Sequence, residues 1–108
     1  MSTPLNLNTV RREDGELVLT AAGEVDLSNI QAFSDALQAA TTEAADRSET
    51  LTVDLSALGY LDSAAVNALC TRAEHIHIIA HPLLMSIFAI SGLTELATVE
   101  PAPPTAGN

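Results

Sequence analysis

The sequence predicts an α/β domain on a mixed sheet, and three observations predict it. Segments with strand-like alternation are interleaved with segments whose apolar residues recur at helical spacing. The first two strand segments are joined only by the polar run Arg11-Arg12-Glu13-Asp14-Gly15, so they form a hairpin and pair antiparallel. Helical segments then stand between the later strands as crossovers, which makes part of the sheet parallel.

In chain order, Leu5 to Val10 alternates moderately and reads as an edge strand. Glu16 to Val25 (ELVLTAAGEV) is the second strand. Asp26-Leu27-Ser28 opens a helix, with Ser28 and Gln31 at the spacing of a capping box. Ile30, Phe33 and Leu37 share one face of that helix while Asp35 and Gln38 turn to water. The helix is expected to fade in the polar stretch from Thr41 to Thr50. Leu51, Val53 and Leu55 alternate in the third strand, LTVDLS. Asp62 is a suitable N-cap for the second helix. That helix has an apolar stripe of Val66, Leu69, Cys70 and Ala73 and an outer face of Asn67, Thr71 and Arg72. Ile76 to Ala80 is a short strand. Pro82 suits the first position of a third helix and Gly92 its end. Leu93 to Val99 is the candidate for a last strand. The order is β-β-α-β-α-β-α with that final strand in addition. Residues 1–100 form one domain, and Pro101 to Asn108, rich in proline, is expected to be a disordered tail.

Composition limits the function. The chain has 108 residues, 47% of them hydrophobic but only 3% aromatic, enough for one core built from Leu, Ile, Val and Ala. Its 14 acidic residues face four arginines and no lysine, for a net charge of -10. Nucleic acid and anionic membranes are bound through clustered cations, so neither is an expected partner, and a phosphate-binding P-loop lacks its lysine. An acidic surface favours a basic protein partner by steering, and it also serves solubility. Met1 to Asn8 has no signal-peptide character, no apolar run is long enough to span a membrane, and the lone Cys70 has no disulfide partner. A cytoplasmic location is expected.

Three longer motifs carry a resemblance. Leu51 to Leu69, LTVDLSALGYLDSAAVNAL, resembles the core motif of STAS domains, the anti-sigma factor antagonists and their relatives. In that motif a strand ending V-D-L-S is followed, after a short link, by D-S-x-G opening a helix. Gly23-Glu24-Val25-Asp26 is similar to the family's G-E-[LVI]-D at the end of the second strand, and Ile87 to Leu93 (IFAISGL) to the end of its third helix. The likeness runs from residue 5 to about 99. It implies a STAS-like single domain, a mixed sheet with helices packed mainly on one face. It also implies a partner switch: the unphosphorylated antagonist binds an anti-sigma factor, often itself a kinase, and phosphorylation in the D-S-[ST]-G loop reverses binding. Here the loop reads Asp62-Ser63-Ala64-Ala65. Ala64 occupies the usual phosphoacceptor position and Ala65 replaces the glycine, which leaves Ser63 as the candidate acceptor. The partner-binding residues implied are Asp26, Asp62, Ser63, Ala64 and Asn67, with Asp26 brought near Asp62 on the rim where loops gather.

Two alternatives stay open. Small solitary STAS proteins also serve as cytoplasmic accessory subunits of membrane lipid-transport ABC systems, and some STAS domains bind nucleotides or other ligands. Asp62 and Ser63 also have a purely local reading as a helix cap and its first turn. No enzyme is expected: there is no G-x-S-x-G elbow around Ser63, and nothing locates Asp54 beside Asp62 as a carboxylate pair. His75 and His77 share a strand face by alternation and His81 is close by, but one short strand rarely supplies a metal site. They read as half-exposed strand residues, and no cofactor or metal is expected. Cys70 reads as core. Leu83, Leu84, Ile87 and Phe88 read as mostly core, on a helix apolar enough to expose part of its face as a second docking surface or dimer seam.

Overall fold

A computed structural model describes residues 4–102. Residues 1–3 and 103–108 lie outside that description, and with them most of the expected tail. The elements in chain order are β1 (Asn6–Arg11), β2 (Leu17–Val25), α1 (Ile30–Asp46), β3 (Leu51–Leu61), α2 (Ser63–Thr71), β4 (Ile76–Ala80), α3 (Met85–Ser91), α4 (Leu93–Leu96) and β5 (Thr98–Pro101). Single 3₁₀ turns, Ala73–His75 and Pro82–Leu84, precede β4 and α3.

The strands form one five-stranded sheet in the order β1-β2-β3-β4-β5. β1 and β2 are antiparallel, and the pairs β2–β3, β3–β4 and β4–β5 are parallel. The hairpin closes as its sequence demands: the Gly15 N–H donates to the Arg12 carbonyl, with Gly15 at φ +92°. The parallel strands all run toward one pole of the domain. α1 and α2 return toward the other, as the parallel pairing of the strands they join requires.

Alternation puts Leu17, Leu19 and Ala21 of β2, Leu51, Val53 and Leu55 of β3, and Ile76, Ile78 and Ala80 of β4 into one core. Phe33, Leu37, Ala40 and Ala44 of α1, Val66 and Leu69 of α2, Phe88 of α3 and Leu93 of α4 close it. The helices therefore form a layer on one face of the sheet, as the resemblance implied.

Several boundaries differ from the sequence expectation, each for a physical reason. α1 does not fade at Thr41. The Thr41 hydroxyl donates to the Leu37 carbonyl at 2.6 Å, which removes the cost of burying it, and Ala40 and Ala44 extend the apolar stripe to Asp46. The capping box does not form. The Asp26 carboxylate accepts from both the Ser28 N–H and the Ser28 hydroxyl, while Gln31 donates to Asp35. Asn29 becomes the N-cap residue without a side-chain cap bond; its side chain instead accepts from the Asp26 N–H and donates to the Glu24 carbonyl.

β3 runs well past Ser56, to Leu61. Its pairing with β2 shifts register between Thr20 and Ala22 and again between Gly23 and Glu24. At each shift β3 spends one residue more than β2, so the buried residues fall at Leu55, Leu58 and Leu61 instead of alternating. Such bulges bend a strand and re-aim the residues beyond them. Leu93 to Leu96 is helical, and only Thr98 onward is strand. That strand carries the sheet through Pro101, beyond the expected domain end at residue 100. His75 sits in a 3₁₀ turn and not beside His77 on β4, so the two do not share a strand face.

Candidate functional site

The candidate site is the pole toward which the parallel strands run. Val25 pairs with Leu61 across β2 and β3, so Asp26 and Asp62, the next residues, leave the sheet side by side. The backbones of Asp26 and Asp62 are therefore neighbours at this pole. Their roles differ. Asp62 caps α2: its Oδ1 accepts from the Ala65 N–H at 3.1 Å, with Asp62 itself in extended backbone. The Asp26 carboxylate is turned into its own loop, onto Ser28.

The cap sets the orientation of α2. With Asp62 holding the first turn, Ala65, Val66 and Leu69 face the core, and Ser63, Ala64 and Asn67 face out. Ala65, standing where the motif has glycine, is fully buried, so its methyl group is part of the core beneath the exposed turn. Replacing Asp62 by alanine should cost about 1 kcal/mol of stability while asparagine retains most of it, since the cap needs only an acceptor oxygen. Chemical denaturation of the two variants checks this. Equal losses would mean the charge, not the cap, is what matters.

A groove of about 480 Å³ opens between α2 and α3, lined by Ser63, Val66, Asn67 and Cys70 on one wall and Ile87, Ile90 and Ser91 on the other, with Leu61 and Asp62 at its end. Ser63, Asn67 and Asp62 of the expected set therefore meet in one place. Ala64 is exposed but is not among the lining residues, and Asp26 stands on the adjacent rim. Cys70, expected in the core, is half-buried in the groove wall.

The α3 wall is what residue-by-residue reading missed. Leu84 and Phe88 are buried as expected, but Leu83 is 79% exposed, Ile87 41% and Ile90 88%. Ile87 and Ile90 are exposed on the outer side of α3, and Leu83 is exposed in the 3₁₀ turn before it. The signal in the sequence was the excess of apolar residues from Leu83 to Ile90 over what a half-buried helix needs. Ile87 and Ile90 of this face line the groove across from α2.

Chemically, the groove offers apolar walls, one amide, one carboxylate engaged as a cap, the Cys70 thiol, the Ser91 hydroxyl donating to the Phe88 carbonyl, and the exposed Ser63. No group of three or more potential metal ligands exists among the described residues. Nor is any helix among them long and apolar enough to cross a membrane.

A family model described as "Mlab, STAS domain" matches residues 8–98. Among solved structures, an anti-sigma factor antagonist from Mycobacterium paratuberculosis is similar over 98% of this chain and 92% of that one, at 24% identity and a TM-score of 0.77. The anti-sigma factor antagonist SpoIIAA in its unphosphorylated form is similar over 94% and 90%, at 19% identity and a TM-score of 0.65. The Bacillus cell fate determinant SpoIIAA in its phosphorylated form matches over 94% and 93%, also at 19% identity, with a TM-score of 0.60. These likenesses establish a shared fold. No curated protein sequence matches the chain.

Proposed function

The chain belongs to the STAS domain family, and from that premise we propose that it is a non-enzymatic regulatory module that binds and sequesters an anti-sigma factor. The observation that carries this reading is the groove between α2 and α3, in which Ser63 and Asn67 stand beside the Asp62 cap and across from Ile87 and Ile90. An apolar cleft with few polar groups, at the pole where the family motif converges, suits docking of a protein segment better than chemistry on a small substrate. Two solved relatives of the same fold are named as anti-sigma factor antagonists, and SpoIIAA is also known in a phosphorylated form.

Ser63 is the candidate switch. Its hydroxyl is on the first turn of α2, exposed, and lines the groove. A phosphate there adds about -1.5 to -2 charges beside Asp62 and must be desolvated when a partner covers it. The modification would oppose docking without disturbing the core. The partner is then a soluble anti-sigma factor, itself a kinase if it writes this mark, and the site of action the cytoplasm.

A second reading is favoured by two observations. Ala64 has no hydroxyl at the usual phosphoacceptor position, and the matching family model is described by the name Mlab and not as an antagonist. In that reading the same groove seats a subunit of a membrane lipid-transport ABC system, and Ser63 is only the first residue after a cap. Nucleotide binding is the weakest alternative, because no arginine lines the groove.

An affinity capture from native lysate separates these. Wild type and Ser63→Glu are used as baits, and both the bound proteins and the intact mass of the bait are read. A soluble anti-sigma factor held by wild type and lost with Ser63→Glu supports the antagonist. Recovery of membrane transport proteins by both baits, with no phosphate on either, overturns it in favour of the second reading.

A further inference from the structure

We draw no further inference here: the strongest candidate, the apolar groove between α2 and α3 whose walls present Val66, Cys70, Ile87 and Ile90, carries nothing beyond the docking already proposed, because nothing in the structure shows what covers it.

Discussion

Gly23→Val is expected to leave the chain largely unfolded under conditions where the wild type is stable. Gly23 lies in the Gly-Glu-Val-Asp segment at the end of β2, at φ +103°, a conformation that valine adopts only with strain. A side chain there would also meet backbone. A Cβ built on Gly23 runs into the Pro4 carbonyl, with the Leu5 Cα at 3.4 Å. Pro4 and Leu5 lead directly into β1, whose first pair is Asn6 with Ala22. The obstacle cannot swing aside as a flexible side chain would; it moves only if the start of β1 detaches from the sheet. Strain and lost pairing together should cost on the order of 3 kcal/mol or more, a large share of a small domain's stability. Gly15→Val is the control. Gly15 also has positive φ, +92°, but nothing within 4 Å of an added Cβ, so only the conformational term of about 1 kcal/mol applies. Denaturant midpoints for the two variants decide the matter. Equal losses would show that the crossing of Pro4 over Gly23 is not what demands glycine.

Phe33→Ala should cost about 3–5 kcal/mol and lower the melting temperature by roughly 15 °C or more. Phe33 is completely buried and is one of only two phenylalanines in the chain. It stands in the first turns of α1, where the apolar stripe meets the sheet, and the core otherwise consists mainly of smaller aliphatic side chains. With so few large residues, no neighbour has the reach to fill the cavity. Ala36, on the same helix but only partly buried, lacks this leverage. Calorimetry on Phe33→Ala and Phe33→Leu should show leucine recovering more than half of the loss, because it restores most of the volume. A loss below about 1 kcal/mol for Phe33→Ala would mean that α1 is not anchored where the structure places it. Since α1 packs against α2 as well as β2, the damaged variant should also hold the groove less firmly.

Much of this protein is legible in local sequence. β4 runs from Ile76 to Ala80 as expected because its alternation is unbroken, and Asp62 caps α2 because an acceptor at that position satisfies the exposed N–H groups whatever the surroundings. Gly92 ends α3 in the left-handed conformation, φ +85°, for a reason equally local. The β1–β2 hairpin and the parallel crossovers followed from connection length alone. The Asp62–Ser63 corner was marked by its motif, and its half of the groove, Ser63 and Asn67, could be named from helical spacing.

The remainder depended on neighbours. β3 continues to Leu61 because bulges against β2 put its buried residues at Leu55, Leu58 and Leu61, and a register shift between two strands leaves no period in either one. The Ser28–Gln31 box lost to a competing partner, Asp26, that local spacing could not rank. Most consequentially, nothing in Leu83 to Ile90 says which apolar residues the core covers. Phe88 is hidden and Ile90 is almost fully exposed, a division set by which side of α3 meets the shared core. The sequence by itself determined a STAS-like α/β domain with an exposed hydroxyl at a capped helix start. Only the tertiary structure decided that this residue opens onto an apolar groove between α2 and α3, because a groove is a property of elements brought together and not of any one segment.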